Sequence, residues 1–422
     1  MAIRTRCRPD ALSLLVLLGT APAAHAQVDP QVAQRYFDEA TTICERDAGR
    51  LWGVSLCGPM IIGDPSTGTR ATSQPEPAEP PPRFPGFADG PVAWAGLRWF
   101  YFPLPLLAHA DDDVRQQTMV HGLFHRIQPE LAFSQGNEDG FNEHLDTIEG
   151  RISIQLEWRA LRRAIDSTGA DRAEAIADAL AFRRERRRLF PGAADNERRD
   201  EIREGLASYT GIAAWADSPA DARRAAAAGL SGGDWSFVGN FEAASGPAYG
   251  VLLDDLMPAW RQQLRGTSDL GDLLAAATNG QPTTGMAAAT ARYDGATLRA
   301  TEEARDRAQQ ARRAELRQRF VDGPVLTMPA AGSGTSDTTG SVGIPGVGTV
   351  LFRTFTLSAP WGRLTAHDGV LRAADGTTLS VPVTEPLAGT TLKGRDWSAT
   401  LNPGWIVRPA PRPGSFVIAR DN

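Results

Sequence analysis

Apolar residues recur at intervals of three to four near the start of the chain and through its middle. Residues 31–48 carry Val32, Tyr36, Ala40 and Ile43 at this spacing, which predicts a helix with one face turned inward. The same pattern predicts helices at residues 114–128, 149–165, 171–189, 196–215, 219–230, 249–264, 270–277 and 296–320. Pro258 is expected to kink one of them. The middle of the chain is therefore predicted to be mainly α-helical.

Strand signals precede this helical region. Residues 51–62 and 69–72 flank the turn-forming segment 63–68, which predicts a hairpin. Residues 74–87 contain six prolines and predict an extended connector. The aromatic run at residues 91–107 has strand character and is expected to form an edge strand.

A second β-rich region follows the helices. Beyond Val321 the chain is rich in Gly, Thr, Ser and Pro, and apolar residues alternate at 348–355 and 378–383. The predicted fold class is α+β, with a mainly helical core, a small N-terminal strand layer and a C-terminal all-β domain. The predicted segments are 1–26 (signal peptide), 27–90 (helix, hairpin and connector), 91–320 (helical domain) and 321–422 (β domain).

The first residues have the pattern of a secretory signal peptide. A basic stretch with three arginines precedes the apolar run 11–18, and Ala24-His25-Ala26 offers a cleavage site after Ala26. The apolar run is shorter than the roughly 20 residues of a membrane-spanning helix, and no later segment qualifies. We expect a periplasmic or secreted protein without a membrane span.

Charge and cysteine content narrow the class further. With 44 basic and 50 acidic residues the net charge is −6, and no basic face is evident, so nucleic acid is not an expected partner. Cys7 leaves with the signal peptide. Cys44 and Cys57 remain as a pair in a compartment where disulfides persist, which favours a bridge over two buried thiols.

Two histidines form the clearest candidate for chemistry. His121 and His125 lie four residues apart on a predicted helix, where side chains at this spacing share a face and can bind one ion. The spacing fits zinc, although paired histidines also occur as ordinary hydrogen-bonded residues. A third ligand is required, and Glu204 on a later helix is one candidate, followed by small residues that allow close helix packing.

A histidine pair followed by the segment Glu204-Gly205-Leu206-Ala207 resembles the gluzincin zinc metallopeptidases of the HExxH type. The segments 94–99, 125–128 and 157–161 also resemble exported bacterial proteins of this type, and the resemblance spans about residues 50–265. It implies one zinc ion per chain, bound by His121, His125 and Glu204. Glu149 and Glu157 remain alternative third ligands.

The sequence departs from the family motif at its catalytic position. The residue after the first histidine is Gly122, where the family has the glutamate that takes a proton from water. Glu143 is a candidate replacement carboxylate, although a role at a helix start also explains it. Tyr209 and Tyr249 are candidate hydroxyl donors to a developing oxyanion, with buried structural tyrosines as the alternative.

A run of five arginines occupies residues 183–188. On a helix such a run is usually a solvated face, and Glu174, Asp178 and Glu185 are the acidic partners expected nearby.

Three functional hypotheses follow. In the first, the chain is an exported, zinc-binding, metallopeptidase-like protein in which peptide hydrolysis is slow or lost because of Gly122. In the second, it is a non-catalytic envelope protein that retains the peptidase fold and binds a peptide or protein, a pseudoenzyme. In the third, the histidines are structural and the protein is an envelope scaffold that binds no metal.

Overall fold

The computed structural model describes residues 28–131, 133, 142–231, 236–278, 285–336, 341–352 and 354–421. The predicted signal peptide and its cleavage site lie outside these residues. The described fold is α+β, as predicted. Proximity of Cα atoms divides the chain after Ala296 into two compact units, so helix 295–317 belongs mostly with the β-rich unit, whereas the sequence prediction ended the helical domain at residue 320.

The first unit is mainly helical. Asp29 caps its first helix by accepting hydrogen bonds from two backbone amides. Its helices are α1 (Pro30–Asp47), α2 (Leu104–Ala108), α3 (Asp112–Ile127), α4 (Ile148–Asp166), α5 (Gly169–Leu189), α6 (Ala193–Asp200), α7 (Leu206–Trp215), α8 (Pro219–Gly229), α9 (Phe241–Leu256), α10 (Trp260–Gln263), α11 (Leu270–Ala277) and α12 (Met286–Arg292). Between α6 and α7, the residues Glu201–Gly205 form a π-helical turn. We call it the π segment.

Two corrections to the sequence prediction arise here. The aromatic run at 91–107 is two strands followed by helix α2, because Ala95 and Gly96 adopt positive φ and turn the chain within two residues. The helix expected from residue 249 begins at Phe241 and contains Pro247. It ends at Leu256, so Pro258 follows the helix and does not kink it.

A four-stranded sheet accompanies these helices. Its strands are β1 (Met60–Gly63), β2 (Arg70–Thr72), β3 (Gly90–Trp94) and β4 (Leu97–Pro103), in the spatial order β2-β1-β4-β3. β1 and β2 form the predicted hairpin, and β1 pairs in parallel with β4. β3 pairs antiparallel with β4 and lies at the edge of this sheet.

Cys44 and Cys57 form a disulfide, as predicted. The bridge ties the last turn of α1 to the segment that precedes β1. Arg126, near the end of α3, donates to the carbonyl oxygens of Leu56 and Cys57 at 3.3 and 2.6 Å, so α3 holds the same segment from the other side. Among the described residues, no helix is both long enough and apolar enough to cross a membrane.

The second unit consists of helix α13 (Gly295–Arg317), most of which belongs to it, and two β-sheets. The strands are β5 (Val325–Pro329), β6 (Ser333–Ser336), β7 (Val342–Ile344), β8 (Gly348–Leu351), β9 (Phe355–Ala359), β10 (Gly362–Ala366), β11 (Val370–Ala373), β12 (Thr378–Pro382), β13 (Thr391–Lys393), β14 (Trp397–Leu401), β15 (Trp405–Pro409) and β16 (Phe416–Arg420). The sheet orders are β13-β14-β10-β9-β6 and β15-β16-β5-β12-β11-β8-β7. Side chains from both sheets form one core around the fully buried Trp361, which agrees with the predicted C-terminal β structure.

Glycines allow the helices of the first unit to approach closely. A Cβ atom at Gly211 of α7 would lie 2.6 Å from the carbonyl oxygen of Gln117 on α3. A Cβ atom at Gly246 of α9 would lie 2.3 Å from the carbonyl oxygen of Gly205 in the π segment. Because neither contact tolerates a side chain, these glycines let α7 pack on α3, and the π segment on α9, backbone to backbone. This packing brings the π segment beside the histidine helix.

Candidate metal centre

Helix α3 presents both histidines on one face. Asp111 caps its start by accepting from the amide of Val114 at 2.9 Å, and two further aspartates in the first turn complement the helix dipole. One turn apart, His121 and His125 point their Nε2 atoms at each other across 3.0 Å. The predicted pair therefore converges on one point.

Glu204 of the π segment completes the group. Its Oε2 lies 3.1 Å from Nε2 of His125 and 3.5 Å from Nε2 of His121. These three residues are the one group of potential metal ligands that the described part of the chain brings together, and it can hold a metal ion. Glu149 and Glu157, the alternative third ligands, do not belong to it.

The distances between the donor atoms are close to those expected around a small, tetrahedrally coordinated ion. Zinc bonds of about 2.1 Å place neighbouring donors of a tetrahedron about 3.4 Å apart. The observed separations of 3.0, 3.1 and 3.5 Å lie close to that value. The side chains of His121, His125 and Glu204 are 23, 14 and 30% exposed, so the group is reachable from solvent.

Gln128 sets the tautomer of His125. The amide nitrogen of Gln128 donates to the carbonyl oxygens of Ile202 and Arg203 at 3.3 and 3.0 Å, which fixes the orientation of the amide group. Its Oε1 therefore accepts from Nδ1 of His125 at 2.9 Å. In neutral His125 the Nε2 atom then has a lone pair facing the carboxylate of Glu204. Either a proton on Nε2 or a metal ion bound by both groups relieves this repulsion.

The electrostatics of the three residues are strongly coupled. Burial lowers the pKa of His121 below its ordinary value and outweighs the contact with Glu204. Burial also opposes protonation of His125, but the hydrogen bond and charge of Glu204 prevail and raise its pKa. For Glu204, burial is outweighed by the two histidines, which lower its pKa well below the usual range. An ionised Glu204 beside neutral His121 is the state that binds a metal ion.

Aromatic rings occupy the space where the motif glutamate would lie. A Cβ atom on Gly122 would be 2.5 Å from Cε1 of Phe100 and 2.6 Å from Cζ of Phe102, both on β4. Phe100 and Phe102 are buried, and the Phe100 ring lies parallel to the His125 imidazole with centroids 6.1 Å apart. Position 122 therefore has no room for a side chain.

The other candidates from the sequence lie elsewhere. Tyr209 and Tyr249 are fully buried, and their hydroxyls donate to Asp254 and Glu157 at 2.8 Å each. Neither belongs to the group of potential metal ligands, so the structure provides no contact for their predicted oxyanion role. Glu143 is exposed in a 3-10 turn (Glu143–Asp146) and is also outside the group.

A buried ion cluster holds the helix that supplies Glu204. Arg183 contacts both carboxylate oxygens of Glu201 in the π segment, at 2.7 and 2.5 Å, and both side chains are buried. The members of the cluster are Arg183, Arg186, Arg187, Glu157, Glu197, Glu201 and Asp269. The arginine run is thus only partly solvated, contrary to expectation, and its buried members bind acids that are distant in sequence.

The chain has no significant match among protein-family models, curated proteins or solved structures. The candidate site is therefore characterised by its own geometry.

Removing the Gln128 amide should weaken metal binding without unfolding the protein. We expect Gln128→Met to lower zinc affinity by about 10- to 100-fold, because the His125 ring loses the partner that fixes its tautomer. Competition with a chromophoric chelator measures the affinity, and Gln34→Met on the exposed face of α1 is the matched control. An affinity within twofold of wild type would refute this role for Gln128.

Proposed function

We propose that the protein binds one zinc ion per chain through His121, His125 and Glu204 and is a metallopeptidase-like protein of the gluzincin type. The observation that carries the proposal is the convergence of two imidazole nitrogens and one carboxylate oxygen within 3.5 Å of one another. Histidine with carboxylate in a setting without redox ligands favours zinc over other divalent ions. An exported location accords with the Cys44–Cys57 disulfide.

When bound, zinc polarises a carbonyl group and lowers the pKa of a coordinated water. The protein's own residues divide the remaining tasks. His121, His125 and Glu204 hold the ion, and Gln128 orients His125. Strand β3 lies at the edge of the described four-stranded sheet, where an extended peptide could pair with its backbone at positions other than the nitrogen of Pro91. The candidate ligand is therefore a peptide or an extended segment of a protein.

A second candidate function is peptide binding without hydrolysis. It is favoured by the packing at Gly122, because Phe100 and Phe102 fill the place of the motif's proton acceptor. Loss of a general base typically lowers the rate by about 10²- to 10⁴-fold. A protein that keeps the metal and the edge strand but lacks any such base would bind peptide without turnover.

Metal content tests whether the protein binds one zinc ion per chain. Mass spectrometry of mature protein should find close to one zinc per chain after equilibration with zinc and removal of the excess. His121→Ala and Glu204→Ala should each reduce this value to near zero, while the exposed carboxylate variant Glu143→Gln should retain it. Folded wild type that takes up no zinc would overturn the proposal. Hydrolysis of a peptide mixture that stops on addition of a chelator would separate the enzyme from the binding protein.

A further inference from the structure

An arginine lies on the sheet face that packs against the histidine helix. Arg98 and Phe100 are two residues apart on β4, so their side chains lie on the same face of the sheet. The Phe100 ring is parallel to the His125 imidazole, with centroids 6.1 Å apart. Nη1 of Arg98 donates to the carbonyl oxygen of Arg126 at 3.1 Å, and Arg126 directly follows His125. These contacts place the Arg98 guanidinium beside the end of α3 that carries His125.

Most of the Arg98 guanidinium is available to a ligand. A guanidinium has five N–H donors, and the contact with Arg126 satisfies a carbonyl group in the last turn of α3. The Arg98 side chain is exposed, and none of the described carboxylates forms an ion pair with it. The neighbouring Arg126 differs, because its guanidinium binds carbonyl oxygens of the segment before β1. Arg98 is therefore a positive charge without an acidic partner near the candidate metal centre.

The edge strand leaves Arg98 open to a peptide beside β3. Ala93 pairs with Arg98 directly across the ladder between β3 and β4 and is exposed, as is Pro91, which pairs with Phe100. Neighbouring strands lie about 5 Å apart, so a peptide strand next to β3 would lie about 10 Å from β4. An arginine and a glutamate side chain that extend toward each other over the methyl group of Ala93 can span that distance. A peptide side chain on this face of the sheet is thus within reach of Arg98.

We propose that Arg98 selects peptides that carry a carboxylate group beside Ala93. The inference rests on the proposed function only for the path of the peptide along β3. The guanidinium offers its remaining N–H groups as a fork to the two oxygens of a carboxylate, which makes the contact both charge-assisted and directional. The carboxylate comes from an acidic side chain or from the carboxyl terminus of the peptide.

The register gives the position of the selected residue relative to the metal centre. Successive residues of a strand advance by about 3.3 Å, so Arg98 and Phe100 are about 7 Å apart along β4. Phe100 marks the level of His125 on the strand, because its ring lies parallel to that imidazole. The carboxylate bound by Arg98 therefore lies about two peptide residues from the part of the ligand that faces His125.

The test measures binding of fluorescently labelled hexapeptides to the zinc-equilibrated protein by fluorescence anisotropy. One set of end-blocked alanine peptides carries glutamate at each position in turn, and a second set carries glutamine instead. An alanine peptide with a free carboxyl terminus, compared with its amidated form, reports the other source of the carboxylate. Wild type should bind at least one carboxylate peptide about tenfold more tightly than its uncharged counterpart, and this preference should weaken as salt is added.

Two variants of Arg98 separate its charge from its contact with α3. Arg98→Gln keeps an N–H donor for the carbonyl of Arg126 but removes the charge, and it should bind the carboxylate and uncharged peptides equally. Arg98→Glu should prefer lysine to glutamate at the selected position. Arg184→Glu, at an exposed arginine of α5, is the matched control and should keep the wild-type preference. Zinc content and circular dichroism equal to those of wild type show that each variant is folded.

The outcomes distinguish this inference from the proposed function. Wild type that takes up zinc but binds the carboxylate and uncharged peptides equally, or binds none of them, would overturn the inference alone. A preference that persists in Arg98→Gln would also overturn it, because another cation would then be responsible. Wild type without zinc would overturn the proposed metal binding, and a carboxylate preference that is lost in Arg98→Gln would still support the role of Arg98.

Discussion

Gly122→Glu should destabilise the protein by at least about 3 kcal/mol and should create no peptidase. Overpacking alone costs about 1–3 kcal/mol, and a carboxylate buried among aromatic rings adds a desolvation penalty. The first side-chain atom would already lie 2.5 Å from Phe100. Chemical denaturation of wild type and variant, followed by circular dichroism, measures the loss of stability. A variant as stable as wild type that hydrolyses peptides would refute the packing argument.

A double-mutant cycle isolates the contact between residue 122 and the ring of Phe100. Gly122→Ala should cost stability through the clash, and Phe100→Ala about 3–5 kcal/mol through the cavity that it leaves. Combined, the two changes should be less harmful than the sum, since the new methyl group enters the space that the ring vacates. Additive effects would show that Phe100 does not determine the size of residue 122.

Asp269→Asn should destabilise the protein by about 3 kcal/mol at neutral pH by removing one charge from the buried ion cluster. The carboxylate of Asp269 contacts Arg183 at 3.0 Å and Arg187 at 2.9 Å. It also caps α11 by accepting from the amide of Asp272. Asparagine retains this cap, so the substitution tests the charge alone.

The effect of Asp269→Asn should depend on pH. Burial raises the pKa of Asp269, but the charges of Arg183 and Arg187 outweigh it and lower the pKa well below the ordinary value of about 3.9. The contribution of Asp269 to stability is therefore fully present above about pH 5 and is lost as the pH falls through its folded-state pKa. The difference in unfolding free energy between wild type and variant should narrow below about pH 4. Asp272→Asn, in the first turn of the same helix, is the control, and a constant difference down to pH 2 would contradict the prediction.

Helical periodicity was a good guide to α1 and α11 because each buries a regular stripe, whereas α9 is buried on nearly all sides and its start was misplaced. The bounds of α1, α4 and α11 follow the predicted ones closely. The aromatic run failed as a guide because residues 99–103 of β4 are buried on both faces of the sheet and show no alternation, and Ala95 at the turn is not a polar residue. A non-glycine residue with positive φ has no sequence signal of its own.

The three members of the candidate metal centre were predictable because their sequence signals are local. His121 and His125 depend only on helical spacing, and Glu204 is followed by Gly205, whose small size allows the close packing seen against Gly246. Gln128 had a usable signal that was missed, since it lies three residues after His125 on the same helix face.

The supporting residues could not be predicted from the sequence. The partners of Arg183 and Arg186 come from α4, α6, the π segment and the cap of α11, and the topology of the first unit determines these pairings. The arginines looked like a solvated face because the acids that bury them are distant along the chain.

The π segment carries two glutamates that contact different parts of the structure. Glu201 and Glu204 are three residues apart, a spacing that in an α-helix would place both on one face. The wider turn contains one residue more than an α-helical turn and separates them. Glu201 faces the buried arginines and Glu204 faces the histidines. Deletion of one residue here is expected to restore a continuous α-helix, in which a single face could not supply both the ion pair with Arg183 and the carboxylate beside the histidines.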